Sequence, residues 1–196
     1  MERDLSLPSM GRAYADELLA QRGVFDDGSM VRRYIEGVCT SDRENARGRV
    51  FSPAGATAEL PIPLLFSHNW DLPIGRVVEL QITPRGLWFR ARIADAKLEW
   101  AQTIWESLTS GRIAAVSVFG WDLPPYDGKW ALFEVSACAK GACPDATIDI
   151  VRSEVHGVTY LDGRRATIHR QTNKHVEPSH RRRSTDSGTA SSGVAF

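Results

Sequence analysis

The sequence predicts one mainly β domain with helices: a closed or nearly closed β-barrel with a single well-formed helix inserted between its strands. Three observations carry this reading. Apolar, β-branched and aromatic residues gather in short runs, as in VRRYIEGVCT (31–40), IGRVVELQI (74–82), GLWFRARI (86–93), IAAVSVFGW (113–121) and KWALFEVSACA (129–139). Inside that region one segment, Asp95 to Ser110, has a clear helical period. The chain has 196 residues, 42% hydrophobic and 24% charged, which is enough to bury one core.

The elements follow in order. Residues 1–29 form a polar leader with one short helix. Ala15, Leu18, Leu19 and Arg22 fall at helical spacing there, Gly23 is the stop, and FDDGS (25–29) is turn-like. The folded domain is placed at 30–169. VRRYIEGVCT alternates as a strand, and SDRENARGR (41–49) is a polar loop. LPIPLLFSH (60–68) is apolar but holds two prolines, so it reads as an edge or irregular strand. The runs 74–82 and 86–93 flank Thr83-Pro84-Arg85-Gly86 and form a hairpin. In the helix, Leu98, Ala101, Trp105 and Leu108 share one face, and Gly111 ends it. IAAVSVFGW is nearly continuously apolar, which predicts burial on both faces. KWALFEVSACA is the next strand. Strict alternation there puts Trp130, Leu132, Glu134 and Ser136 on one face, and Phe133, Val135 and Ala137 on the other. ATIDIV (146–151) and a hairpin through Asp162-Gly163 complete the ordered part. Residues 170–196 are too polar to offset the entropy of ordering and read as a disordered basic and polar tail.

Charge and composition narrow the function classes. Lys+Arg and Asp+Glu total 24 each, so the chain lacks the basic excess of a nucleic-acid binder. Basic residues concentrate locally, in Arg181-Arg182-Arg183 with His175 and His180 nearby. That run is a solvated tail, or else a contact for an acidic partner or for nucleic acid. No apolar run approaches the ~20 residues of a membrane helix, and MERDLSLPSM lacks a signal-peptide core, so a cytoplasmic protein with no membrane partner is expected. Three cysteines, with Cys138 and Cys143 at C-x4-C spacing and Cys39 far upstream, fit a reducing compartment rather than a disulfide scaffold. A further reading is a thiol enzyme or metal site using Cys138, Cys143 and a histidine, but a structural zinc site would show a second ligand pair that the sequence does not supply. No cofactor and no metal are expected.

Three side chains stand out chemically. His68 ends an apolar run, where a titratable ring is either a surface histidine or a general base. Ser117 is a lone hydroxyl in an apolar strand. It either bonds a neighbouring carbonyl or is an activated nucleophile. Glu134 lies in another apolar strand, where a carboxylate must be paired. Its partner is an arginine, or a histidine whose tautomer it fixes. Taken singly, each has a bland structural reading.

Taken in order, they resemble a family. PLLFSHNWDLPIGRV (63–77) is similar to a stretch in which a histidine precedes "x-P-I-G". TSGRIAAVSVFG (109–120) is similar to a "G-x-x-x-x-x-S-x-G-F" segment. LFEVSACAKGACPDATI (132–148) is similar to "E-x-S-L-V-x-x-P-A-N-P-x-A", and CTSDRENARGRVFSPAG (39–55) to "D-R-x-G-D-x-V-x-P". Together they resemble the phage prohead maturation proteases, which are distantly similar to the herpesvirus assemblins. Two departures are visible: Phe119-Gly120 reverses the family's Gly-Phe order, and Gly141-Ala142-Cys143-Pro144 replaces "P-A-N-P".

The resemblance implies an assemblin-like β-barrel and a serine endopeptidase. It would cleave scaffold and capsid-protein segments inside the assembling prohead in the host cytoplasm, and itself as well. By motif position His68 is the base, Ser117 the nucleophile and Glu134 the third member. Backbone amides near Gly141 or Arg112 are the candidate oxyanion donors. The partners implied are capsid and scaffold substrates and, by analogy with assemblins, a second copy of the chain. The competing reading is a non-catalytic structural module on the same barrel. It requires the His68 ring and the Ser117 hydroxyl to be more than about 6 Å apart and to face different ways, against a working contact of about 3 Å.

Overall fold

The computed structural model describes residues 6–21, 31–95 and 99–162. Arg22, the leader stop at Gly23, the FDDGS turn, Leu98, Gly163 and the 170–196 tail lie outside the described residues. The helix α1 spans Ser6–Gln21. The strands are β1 (Val31–Thr40), β2 (Ala56–Thr57), β3 (Ile62–Phe66), β4 (Asn69–Thr83), β5 (Gly86–Ile93), β6 (Ala115–Asp122), β7 (Trp130–Cys138), β8 (Thr147–Val155) and β9 (Val158–Leu161). The second helix, α2, spans Glu99–Thr109 between β5 and β6, where a helix was expected.

The chain is mainly β with two helices. Its strands pair in the order β1-β5-β4-β3-β7-β6-β8, and β8 pairs again with β1, so the sheet returns on itself. The β1–β8 ladder is long, running from Val31↔Val155 to Val38↔Thr147. Between β6 and β8 the closure rests on one pair, Ala115↔Thr147. The interior is filled by side chains including Ile35, Leu64, Ile74, Val77, Phe89, Ile93, Val116, Leu132 and Val135. On α2, Ala101, Trp105 and Leu108 of the predicted apolar stripe are buried.

Three expectations are corrected. The run 60–68 is an irregular strand and not an edge: β3 lies between antiparallel β4, with register shifts at Leu64/Leu65 and Leu65/Phe66, and parallel β7. Pro61 precedes the strand. Pro63 precedes the stretch Leu64–Phe66 that pairs with β7, so its missing N–H falls beside only one ladder. Gly163 of the expected Asp162-Gly163 turn lies outside the described residues; among these the last hairpin turns at His156-Gly157. Both residues have positive φ (50° and 78°), which suits a two-residue connection between Val155 and Val158. β6 is not buried on both faces, because Phe119 remains 37% exposed.

The third correction concerns β7. Phe119 pairs with Glu134 and Gly120 with Leu132, leaving Phe133 as an extra residue. This β-bulge shifts the alternation by one. Trp130 and Leu132 therefore face the core together with Val135 and Ala137, while Glu134 and Ser136 face out. A Cβ at Gly120 would lie 2.5 Å from the Ala131 carbonyl oxygen and 2.6 Å from the Trp130 ring. That ring cannot retreat easily: its Nε1–H donates to the Ser52 carbonyl (2.8 Å) and it packs on Phe51 (4.7 Å between centroids). We expect Gly120→Ala to cost about 1–3 kcal/mol through overpacking, read as a lowered midpoint in denaturant unfolding.

Candidate active site

The site lies on the outer face of the sheet, where β7 meets β6 and the β3–β4 connection. That connection is only two residues, Ser67 and His68, between Phe66 and Asn69, which pair across the hairpin. Both have positive φ, 51° and 60°. A turn of this kind normally calls for Asn-Gly, so a Ser-His pair is held in an unfavourable conformation. β7 supplies the hold: Ser67 N–H donates to the Ala137 carbonyl (3.1 Å) and His68 N–H donates to the Ser136 hydroxyl (2.8 Å).

The turn lays the imidazole over Glu134. His68 Nδ1 is 2.5 Å from Glu134 Oε1. Glu134 Oε2 accepts from the Ser136 hydroxyl at 2.8 Å. Both carboxylate oxygens are thus engaged, as a group only 1% exposed requires. The partner of Glu134 is therefore a histidine, not one of the many arginines. Ser117 sits on β6 directly opposite Ser136. Such cross-strand pairs have Cβ atoms about 4.5–5.5 Å apart on one face. Val116, Val135 and Ala137 point to the core, so Ser117, Glu134 and Ser136 share the outward face that the His68 ring covers. Among the described residues no hydrogen bond joins the His68 ring to the Ser117 hydroxyl. The two nevertheless address the same face of the sheet.

Ser136 is the member that the sequence reading missed. It is fully buried, and its one hydroxyl ties the backbone of the histidine turn to the acid. Its only sequence signal was its place two residues after Glu134 in an apolar strand.

Two polar loops flank the site. The loop after β1 is pinned to the loop after β7: Ser41 Oγ donates to Asp145 (2.8 Å), Arg43 pairs with Asp145 (3.0 Å) and Ala46 N–H donates to the Ala142 carbonyl (2.9 Å). In the second loop, the backbone of Gly141 lies against the Val116 carbonyl, one residue before Ser117. A Cβ on Gly141 would come within 2.3 Å of that oxygen. Arg112 lies at the far end of α2, its guanidinium on Ser107 Oγ (3.3 Å).

Electrostatics favour a charged ring. Hydrogen bonding to Glu134 raises the His68 pKa above 6.5, with partial burial and the charge of Arg47 opposing. The three thiols are buried. Burial pushes Cys39 up to about 12 and raises Cys138, the opposite of what a reactive thiolate needs. Among the described residues no group of three or more His, Cys, Asp or Glu is placed to hold a metal ion. No helix among them is long and apolar enough to cross a membrane.

A histidine held by a buried carboxylate and a serine on the same face of the sheet are the residue types that serine hydrolases combine. The chain belongs to the caudovirus prohead serine protease family, whose model matches residues 26–159. It is similar to the capsid polyprotein of Pseudomonas phage PAJU2, at 30% identity, the match covering 62% of this chain and 20% of the polyprotein. The chain thus spans about a fifth of that relative. Among solved structures it is similar to the KSHV protease in complex with a hexapeptide phosphonate inhibitor. There the TM-score is 0.47 at 15% identity, over 62% of this chain and 64% of that one. It is also similar to the varicella-zoster virus protease, with a TM-score of 0.41 at 12% identity, over 63% and 64%.

Two predictions follow from the hydrogen bonds. In an NMR titration, His68 should ionise above 6.5, and Glu134→Gln should bring it back down. Because the folded pKa is the higher one, the His68–Glu134 pair stabilises the fold below about pH 6.5, and that contribution is lost as pH rises through the raised value. Ser136→Ala leaves the His68 amide and Glu134 Oε2 each without a partner. It should cost about 1–3 kcal/mol per group left unpaired, measured by denaturant unfolding.

Proposed function

We propose that the chain is a serine endopeptidase that cleaves capsid and scaffold protein segments during prohead maturation, and cleaves itself. Ser117 is the nucleophile, His68 the general base and Glu134 the acid that orients the ring and stabilises the positive charge it gains when it takes the proton. The observation that carries this reading is the contact of His68 Nδ1 with the buried Glu134 carboxylate, on the face that Ser117 shares. With Nδ1 committed to Glu134, Nε2 is the nitrogen left to take a proton.

The chemistry is acyl transfer. His68 removes the proton from Ser117 Oγ as that oxygen attacks a peptide carbonyl. The imidazolium, stabilised by Glu134, returns the proton to the leaving amine. Water, deprotonated by the same ring, then releases the acyl group. Apo enzymes often show catalytic contacts longer than a hydrogen bond, and these tighten around substrate. The oxyanion formed in the attack needs N–H donors, each worth about 3–4 kcal/mol. The loop around Gly141 supports that role better than Arg112, because its backbone packs beside Val116. The substrates are segments of the capsid and scaffold proteins among which a prohead protease works, in the assembling particle within the host cytoplasm. A second copy of the chain is a proposed partner.

The test is co-expression with the neighbouring capsid gene product, followed by the masses of the products. Ser117→Ala should abolish cleavage while its unfolding midpoint stays at the wild-type value. Full processing by Ser117→Ala would show that the chain is a structural module and not the protease.

A further inference from the structure

Three aromatic side chains lie beside the site and play no part in the core. Phe119 and Trp121 on β6 are 6.0 Å apart between ring centroids, Trp121 and Phe133 are 5.6 Å apart edge-on, and Phe119 and Phe133 are 6.3 Å apart. None of the three belongs to the core cluster or packs against it. Phe119 is 37% exposed, and the other two are half-buried. A contiguous aromatic patch on the solvent side of a sheet marks a binding surface more often than chance decoration.

Its position says what it binds. Phe119 is two residues beyond Ser117, so their side chains leave the same face about 6.6 Å apart along the strand. It also stands directly opposite Glu134. The bulge turns Phe133 to this side, next to Phe119, instead of into the barrel. An extended peptide repeats its side chains at the same spacing as a strand. With its scissile carbonyl at Ser117, a neighbouring side chain is delivered onto the Phe119 ring. The resembling family pattern has glycine at the position of Phe119 and so presents no side chain there. In this chain the glycine has moved to Gly120, against Trp130 on the core face.

We propose that Phe119, Trp121 and Phe133 form the wall of a substrate subsite that takes a large apolar side chain close to the scissile bond. The patch is continuous with the nucleophile's face, which commits the occupant to the peptide being cut. The inference rests on the protease reading above, and the two fail separately.

The full-length chain is incubated with a peptide library of random sequence, and the products are profiled by mass spectrometry. In parallel, Ser117 is labelled with a small fluorophosphonate that carries no apolar side chain. Wild type should favour Leu, Met, Phe or Tyr at one position next to the cut. Phe119→Gly should lose that preference, with kcat/KM for such peptides falling about 10- to 100-fold, while labelling proceeds at the wild-type rate. Phe119→Leu should keep the preference. If Phe119→Gly fails to label, Phe133→Ala is read in its place and must lose the same preference. A wild-type profile without an apolar preference, or one unchanged in these variants, overturns the subsite alone. Absence of both labelling and cleavage in wild type overturns the protease reading and the subsite with it.

Discussion

A carboxylate almost sealed from water organises this molecule. Glu134 is 1% exposed on a strand whose neighbours are apolar. A buried, unpaired charge costs several kcal/mol, so the surroundings must satisfy both oxygens. They do so with one imidazole nitrogen and one hydroxyl. The imidazole reaches it because the β3–β4 connection is only two residues long and left-handed at both. The hydroxyl is held because Ser136 also receives the amide of that same turn. Acid, hydroxyl and strained turn support each other, and none of the three is well placed alone.

The bulge at Phe133 is the second constraint. One extra residue in β7 lets a single strand serve two purposes. Its first half and its last residues fill the barrel, while Glu134 and Ser136 turn outward. Without the shift, Trp130 and Leu132 would share the face of Glu134, and an indole now anchored to Ser52 would lie in the site. The parallel pairing of β3 with β7 then brings the histidine turn to the same level, since Phe66 sits beside Ala137.

Much of this was legible in the sequence. Periodicity located the strands at 31–40, 74–82 and 86–93 and the apolar face of α2, because each is a long, regular pattern. Motif order singled out His68, Ser117 and Glu134, and the structure sets His68 against Glu134. The parity of β7 was not legible: a bulge breaks a nine-residue alternation without leaving a mark in composition. Nor was the turn at Ser67-His68, since it lacks the glycine or asparagine that announces positive φ. Two prolines made β3 look peripheral, though both precede its contact with β7. Ser136 escaped notice because a small hydroxyl in an apolar strand has many bland uses. Its importance comes only from what folding brings to it.

Because the sheet closes on itself and is packed with side chains, its outward surface curves away from Ser117 on either side. On the protease reading proposed above, a segment that meets Ser117 lies across the outside of the closed sheet and is not threaded through it, because the interior is filled by side chains. Such a segment has to come away from its own fold to reach the strand.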